Sequence, residues 1–500
     1  MSDNIQQLRD YSTRLIRMGE SVSLLFWDQQ TYMPTGAANV RAEQIAVMSE
    51  FIHKQRTSDE AHKLLLNAEA DAKSFDPDSD DARLVAQTRR HYDLMTKLPS
   101  EFVAELSRQQ ALGHEVWVQA RKENSFAKFA PTLERIFDLT RQKAEYYGYK
   151  DHIYTALLDE YETGTTYTDV VNVFSEMKPY AVALAHAIAA STNPVDSSPI
   201  IGEFDIPTQR ALTLKVVKQL GFDFNRGRQD EAAHPFCSNA SRDDVRLTTR
   251  FDRTYLQQAL YASLHEAGHG MYEQGSPERL EGTILAGGAS LGVHESQSRL
   301  WENLVGRSRS FSKWVFPIVK DHFPQLKNTD AEGFYRAVNK VEPSFIRVEA
   351  DEVTYNLHIL LRFEMECELL TGKLAFKDVP EAWNAKMTEY LGITPSTDSE
   401  GCLQDVHWSE GLIGYFPTYT LGNLISAQLF HALRREHPNI EADFETGDFA
   451  PVLGWLRENV HGHGAKFLPH EVVLKATGEP LNSKYYVDYL NTKFGDIYAL

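Results

Sequence analysis

The sequence has few cysteines, no long apolar run and a shortage of basic residues, and each feature excludes a class of protein. Cysteine occurs only at Cys237, Cys367 and Cys402 in 500 residues. These scattered cysteines cannot form a disulfide framework, which fits a protein of a reducing compartment. No apolar stretch reaches the about eighteen residues that a membrane span needs, and the polar N-terminus lacks the apolar core of a signal peptide. We therefore expect a cytoplasmic protein.

Acidic residues outnumber basic ones. Lysine and arginine total 51 against 70 aspartates and glutamates, which gives a formal net charge of −19. Because nucleic acids and anionic membranes both attract basic surfaces, we expect neither as a main partner. The hydrophobic fraction of 42% and the charged fraction of 24% are ordinary for a globular protein. A chain of this length then predicts one large domain or two lobes.

The most informative stretch is an HExxH pattern formed by His265, Glu266 and His269. Residues four apart share one face of an α-helix, so His265 and His269 can reach one zinc ion. Glu266 lies one step round the helix, where it can act as the base on a metal-activated water. The surrounding residues 261–274 have a helical apolar stripe, for which Asp252 is a predicted cap and Gly275 a predicted stop.

A zinc hydrolase needs a third protein ligand, and Glu295 is the candidate. Glu295 lies near the start of a predicted helix over 293–305, which follows the glycine-rich loop 287–292 and can fold back across the first helix. Gly268 is a second indication, since mid-helix glycine costs about 1 kcal/mol and suggests close approach of a substrate or another helix. The five letters alone can also arise by chance.

Other polar clusters are ambiguous when taken singly. Residues 346–351 are predicted to begin a helix in which Arg347 and Asp351 pair one turn apart. The Gln-Asp-His-Trp cluster within 401–408 and the aromatic turn 414–419 are each more often structural than functional. His461 and His463 resemble a metal pair, but they lack helix support and a third partner, so we predict a turn.

Taken together, the motifs resemble those of the carboxypeptidase Taq family of HExxH metallocarboxypeptidases. The matching segments span nearly the whole chain: residues 27–29 with 33–34, then 234–236, 244–248, 265–269, 294–297, 346–351, 401–408 and 461–478. Six of these motifs in order are far more specific than an HExxH pattern by itself.

The resemblance implies a mostly α, large helical zincin-like fold, with two lobes around a deep groove and a small β-sheet on the groove wall. It also implies a homodimer that removes single amino acids from the free C-terminus of peptide substrates, with one Zn²⁺ or Co²⁺ per chain. From the residues themselves, the alternation and β-branching at 245–250 predict a strand just before the HExxH helix.

Roles for individual residues follow from the resemblance by position. It implies that His265, His269 and Glu295 bind the metal, and that Glu266 is the catalytic base. Further candidate catalytic residues are Tyr419 and His407, either of which could donate to the developing oxyanion. The implied substrate-binding residues are Arg347, which would meet the terminal carboxylate, together with His234 and Arg246.

No clear linker divides the chain, so we predict a single catalytic domain over residues 1–500. Within it we expect an N-terminal helical lobe over about 1–190, the small sheet and zinc core over about 191–420, and C-terminal helices over about 421–500.

Two other functions are compatible with the same motifs. A zinc endopeptidase or oligopeptidase would share everything except the site for the terminal carboxylate. A catalytically silent binding or scaffold protein could keep the fold, although such a protein has no need of Glu266. The metal is also open, because a site of two histidines and a glutamate accepts zinc, cobalt or manganese.

Overall fold

The structure is a computed structural model that describes residues 2–500. Within these residues it contains twenty α-helices and one three-stranded sheet, which confirms the predicted mostly helical fold with a small sheet. In chain order, the helices are α1 (Asp3–Thr31), α2 (Ala38–Arg56), α3 (Asp59–Ala72), α4 (Asp80–Lys97), α5 (Ser100–Lys122), α6 (Phe126–Tyr147), α7 (Ile153–Leu158), α8 (Tyr167–Ala189), α9 (Ile206–Leu220), α10 (Leu256–Gly275), α11 (Leu291–Arg299), α12 (Arg309–His322), α13 (Ala331–Val338), α14 (Tyr355–Leu370), α15 (Val379–Leu391), α16 (Pro417–Glu436), α17 (Ile440–Thr446), α18 (Ala450–Asn459), α19 (Pro469–Thr477) and α20 (Lys484–Tyr498). No helix among residues 2–500 is both long and apolar enough to cross a membrane.

The chain divides into two compact units, each assembled from separated segments. The first unit comprises the described residues up to Thr96 together with Asp196–Val338 and Leu429–Glu479. The second unit comprises Lys97–Val195, Asn339–Gln428 and Pro480–Leu500. The single catalytic domain over 1–500 stays a prediction.

The sheet lies in the first unit and supports helix α10. Its strands are β1 (Gly227–Glu231), β2 (Cys237–Ser241) and β3 (Asp244–Thr249), and β3 is central, parallel to β1 and antiparallel to β2. The strand predicted at 245–250 is therefore confirmed. Because β3 and α10 pack together, the sheet lies directly behind the HExxH segment.

Helix α10 has the predicted apolar stripe, but its predicted cap is wrong. Leu260, Leu264 and Met271 are completely buried, and the helix ends at Gly275 as expected. It begins only at Leu256, however, and Asp252 accepts hydrogen bonds from the backbone N–H and hydroxyl of Thr254 at 2.7 and 2.6 Å. Aspartate readily closes such a local turn, so its side chain is used before the helix starts.

Helix α11 crosses α10 at Gly268. A Cβ atom on Gly268 would lie 2.6 Å from the carbonyl oxygen of Gln297 and 2.6 Å from the Cα atom of Ser298. Both neighbours are backbone atoms and cannot rotate away. The glycine predicted to mark a close approach therefore marks the crossing of these two helices.

We expect Gly268→Ala to lower the free energy of unfolding by up to about 2 kcal/mol. Overpacking a core costs roughly 1–3 kcal/mol, and the better helix propensity of alanine offsets about 1 kcal/mol of that cost. Gly454→Ala in α18 is the matched control, because a Cβ there meets no atom within 4 Å. Denaturant unfolding should show opposite shifts for the two variants. A Gly268→Ala protein as stable as the control would mean that the helices can separate at no cost.

The single helix predicted over 293–305 is in fact two elements. Helix α11 begins after Ser290, whose hydroxyl accepts from the N–H of Val293 at 3.1 Å, and it continues as a π-helical segment, Leu300–Val305. A π-helical turn shifts the following side chains relative to an α-helix, and such turns are frequent at functional sites. Here the turn carries Glu302.

In the second unit, the helix predicted to start at residue 346 starts later. Arg347–Glu349 forms a 3₁₀ turn, and α14 begins at Tyr355. The predicted pair of Arg347 with Asp351 is wrong, because the Asp351 carboxylate accepts hydrogen bonds from the N–H groups of Glu342, Val353 and Thr354 at 2.9–3.0 Å. Backbone N–H groups just before a helix have no partner within it, so a carboxylate there is drawn to them.

Candidate metal centre and active site

Three side chains of the first unit form a compact set of metal-ligand atoms. His265 and His269 lie on one face of α10, and their Nε2 atoms are 3.6 and 3.5 Å from Oε2 of Glu295 on α11. All three ligand atoms lie within 4.8 Å of one another. A tetrahedral divalent ion with bonds of about 2.0–2.2 Å separates its ligand atoms by about 3.4 Å. The spacing and the donor types therefore fit such an ion, and this group could bind one.

The other polar atoms of the triad are already engaged, which orients the ligand atoms. His265 Nδ1 lies 2.9 Å from Oε2 of Glu302, and His269 Nδ1 lies 2.6 Å from Nδ1 of His294. Arg299 Nε donates to Glu295 Oε1 at 2.7 Å. Each ligand thus presents Nε2 or Oε2 toward the shared centre.

Burial and neighbouring charges favour the metal-binding forms of His269 and Glu295, whereas they favour the protonated form of His265. Burial lowers the pKa of His269 to about 3, so its ring is neutral at pH 7. Burial opposes ionisation of Glu295, but the neighbouring Arg299, His265 and His269 hold its pKa below its usual range. Burial would also lower the pKa of His265, whereas the carboxylates of Glu295 and Glu302 raise it to about 9. Metal binding must then displace a proton from His265.

Glu266 lies beside the triad but outside it. Its side chain is buried, and among the described residues it makes no hydrogen bond or ion pair. The pKa of Glu266 is raised to about 7, mainly by burial. The nearby His265 lowers this pKa, whereas the carboxylates of Glu295 and Glu302 raise it. A general base works best when its pKa is near the working pH, so this carboxylate is suited to proton transfer at neutral pH.

The second unit contains a buried cluster of two arginines on one aspartate. Arg347 donates to Asp405 Oδ1 from Nε and Nη2 at 3.0 and 2.9 Å, and from Nη1 to the hydroxyl of Tyr355 at 3.1 Å. Arg362 is completely buried and donates from Nε to Asp405 Oδ2 at 2.7 Å. Two guanidinium groups share one carboxylate, which leaves a net positive charge that an anion could neutralise.

The shifted pKa values of Asp405 and Arg347 keep both side chains ionised at pH 7. Burial raises the pKa of Asp405, but Arg362 and Arg347 outweigh it and hold the pKa below its usual range. Burial alone would lower the pKa of Arg347, whereas Asp405 raises it above its usual value. The carboxylate that pairs with Arg347 is therefore that of Asp405, whereas the sequence predicted Asp351 as the partner.

His407 and Tyr419 lie against the same arginine. The Tyr419 hydroxyl is 3.4 Å from His407 Nε2, and its ring centroid is 5.1 Å from the guanidinium carbon of Arg347. Burial lowers the pKa of His407 to about 4, so it is neutral at pH 7. The structure thus brings together Arg347, His407 and Tyr419, all three predicted from their separate motifs.

The two remaining predicted substrate-binding residues lie in the first unit and do not join the triad. Arg246 on β3 donates to Asp244 at 2.8 and 2.9 Å, and its guanidinium carbon lies 4.3 Å from the ring centroid of Trp27. His234 is exposed between β1 and β2, with no hydrogen bond or ion pair to the rest of the described chain. Their roles stay predictions.

The pair His461 and His463 forms the predicted turn, a short 3₁₀ segment. His461 is buried, with Nε2 at 2.9 Å from Oε1 of Gln297 and its ring 5.0 Å from that of Tyr272. The ring of His463 packs 5.2 Å from Phe467. Neither histidine contributes an atom to the ligand group.

Several residues of the site were not predicted individually: Arg299, Glu302, His294, Glu273 and Arg362. Two had a usable signal, because Arg299 stands four residues after Glu295 and His294 one residue before it. Arg362 had no such signal, because an arginine in an otherwise apolar helix is normally predicted to be exposed.

The chain is similar to known proteins over nearly its whole length. Residues 7–494 match the family described as carboxypeptidase Taq (M32) metallopeptidase. Carboxypeptidase 1 of Bacillus subtilis is 38% identical over 98% of both chains, and thermostable carboxypeptidase 1 of Thermus thermophilus is 38% identical over 99% of both. The crystal structure of the M32 carboxypeptidase from Deinococcus radiodurans R1 superimposes with a TM-score of 0.96 at 41% identity, covering 100% of both chains.

The match in sequence and the match in fold both extend over essentially the whole chain. Metallopeptidases use a divalent metal ion, and the group of His265, His269 and Glu295 could hold it. This chain is an enzyme, a metallocarboxypeptidase that hydrolyses peptides, and it belongs to the carboxypeptidase Taq (M32) family.

Proposed function

We propose that the protein is a zinc- or cobalt-dependent carboxypeptidase that releases one amino acid at a time from the free C-terminus of peptides, with Glu266 as the general base. The observation that carries this proposal is the position of Glu266. Its buried carboxylate is free of hydrogen bonds to the described residues, has a pKa raised to about 7 by burial, and lies next to the ligand triad.

His265, His269 and Glu295 would hold one Zn²⁺ or Co²⁺ per chain. Such an ion polarises a carbonyl group and makes a water molecule more acidic. The Glu266 carboxylate would accept the proton of the attacking water and afterwards deliver it to the leaving amine. This return of the proton requires a carboxylate whose two forms are close in energy, which the raised pKa supplies.

The cluster in the second unit supports the preference for a free C-terminus. Arg347 presents a planar guanidinium, which suits the two oxygens of a terminal carboxylate. Asp405 and Tyr355 fix that guanidinium, so little conformational entropy is lost when it binds. We propose that Tyr419 or neutral His407 donates a hydrogen bond to the developing oxyanion. His234 and Arg246 are proposed as further substrate contacts.

We further propose that residues 1–500 act as one catalytic domain of a cytoplasmic protein. The family resemblance suggests that this protein is a homodimer. Peptides would be its partners, without nucleic acid or membrane. Elemental analysis of the purified protein tests the metal, and sedimentation tests the dimer. Time-resolved mass spectrometry of one peptide tests the reaction, because stepwise loss of single C-terminal residues is expected, whereas cleavage at internal bonds would indicate an endopeptidase.

Arg347→Met should erase most of the preference for peptides with a free carboxylate. A charge-assisted hydrogen bond is worth about 1.5–3 kcal/mol, which corresponds to a loss of roughly tenfold to a hundredfold in kcat/KM. The measurement is kcat/KM for one peptide as the free acid and as the C-terminal amide. Cleavage of the amide should stay near its wild-type rate.

Arg246→Met is the matched control, since it removes the same group from an arginine that pairs with Asp244. It should leave the ratio of acid to amide rates unchanged. A reversed pattern would assign the carboxylate site to Arg246 and leave Arg347 a structural ion-pair residue.

A further inference from the structure

A hydrogen-bonded chain behind His269 has no part in the functions assigned above. His269 Nδ1 lies 2.6 Å from Nδ1 of His294, and His294 Nε2 lies 2.6 Å from Oε1 of Glu273. The other carboxylate oxygen, Oε2, accepts from Nδ2 of Asn239 on β2 at 2.8 Å. The chain therefore runs from the sheet to one edge of the candidate metal centre.

If Glu273 is ionised and His294 is neutral, hydrogen-bond chemistry assigns the protons along the chain. An ionised Glu273 accepts hydrogen bonds only, so it receives the Nε2–H of His294. A neutral imidazole carries one N–H, so Nδ1 of His294 is then an acceptor. In this arrangement His269 donates its Nδ1–H to that atom, which leaves its Nε2 with a lone pair directed at the centre shared with Glu295.

Packing holds the His294 ring in this orientation. Its centroid lies 4.8 Å from that of His269 and 5.0 Å from that of Tyr272. On another side of the ring, a Cβ atom on Gly288 would lie only 2.7 Å from Cδ2 of His294, so a larger residue there would have to displace the ring. These contacts accompany a ring orientation in which Nδ1 faces His269 and Nε2 faces Glu273.

The second histidine of the triad is supported differently. His265 donates its Nδ1–H directly to the carboxylate of Glu302, and Arg299 and Arg307 lie 3.4 and 3.5 Å from that carboxylate. Nδ1 of His269 instead reaches the carboxylate of Glu273 through an intervening histidine. A metal ligand's partner of this kind fixes ring and tautomer, and its loss typically costs about 10–100-fold in affinity.

We infer that His294, held by Glu273, is a positioning residue that fixes the tautomer of His269 and thereby sets the affinity of the chain for its metal ion. This inference rests on the proposed role of His269 as a ligand. It assigns His294 no contact with substrate and no part in proton transfer during hydrolysis.

The test compares two nearly isosteric replacements, His294→Leu and His294→Asn. Asparagine can place its Oδ1 where Nδ1 of His294 stood and accept from His269, whereas leucine offers no acceptor. Zn²⁺ affinity is measured by competition with a chelator. We expect about 10–100-fold weaker binding for His294→Leu and recovery of most of that loss in His294→Asn. Equal affinities for the two variants would overturn the inference.

A measurement on the unaltered, metal-free chain decides the same point even if His294→Leu fails to fold. Long-range ¹H–¹⁵N spectra of histidine-labelled protein should show His269 protonated at Nδ1, and a proton at Nε2 would contradict the inference. His269→Ala separates the two proposals. If that variant keeps wild-type affinity, the proposed ligand set is wrong. If it loses the metal while His294→Leu does not, only the inference about His294 fails.

Discussion

Replacing Glu266 by glutamine is expected to abolish peptide hydrolysis while the protein keeps its metal. Glutamine has the shape of glutamate but cannot take up a proton, and a positioned general base contributes about 10²–10⁴-fold to the rate. Glu266 contributes no atom to the ligand group of His265, His269 and Glu295, so metal binding should be unaffected. The measurements are kcat/KM for one peptide and metal content per chain.

Glu278→Gln, an exposed substitution that follows α10, is the control and should change neither quantity. Loss of metal in Glu266→Gln would show that this residue is a ligand and that the proposed base is wrong. Retention of near wild-type hydrolysis would require another group to accept the proton.

Replacing Glu295 by alanine is expected to remove high-affinity metal binding. The change deletes one of three ligand atoms and leaves Arg299 without the carboxylate that it contacts at 2.7 Å. The Arg299 guanidinium, whose charge Glu295 no longer offsets, then repels a cation. The loss in Zn²⁺ affinity should exceed the about 10–100-fold cost of losing an outer partner of a ligand. Chelator competition measures this affinity directly.

The matched comparison uses the other histidine-rich segment. His461→Ala and His463→Ala should keep the metal affinity of the unaltered protein, because neither side chain belongs to the ligand group. His461→Ala is expected to lower stability, since it leaves a cavity beside Tyr272. An affinity loss from His461→Ala as large as that from Glu295→Ala would contradict this assignment of the ligands.

Local spacing explains what could be predicted from the sequence by itself. The four-residue separation of His265 and His269 places them on one helical face wherever that helix lies in the protein. The glycine-rich loop before Glu295 and the alternation in β3 are equally local. Gly268 was informative because a glycine in mid-helix contradicts the local preference, and the crossing of α11 explains it. The resemblance to a family added expected roles for residues whose neighbouring sequence does not indicate a function.

The tertiary structure alone decided which groups hold the functional side chains in place. Asp405 is 58 residues from Arg347, and Glu302 is 37 residues from His265. No periodicity connects positions so far apart, whereas Asp351 was a plausible local partner at helical spacing. That local pair does not form, because the backbone N–H groups before α14 bind Asp351. Arg347 pairs instead with Asp405, a carboxylate that Arg362 also contacts.

The π-helical turn that carries Glu302 likewise shifts its side chain away from the α-helical pattern that the sequence predicted. A charged group buried by packing must find its counter-charge among the residues that the fold brings near, and the sequence does not encode that proximity locally.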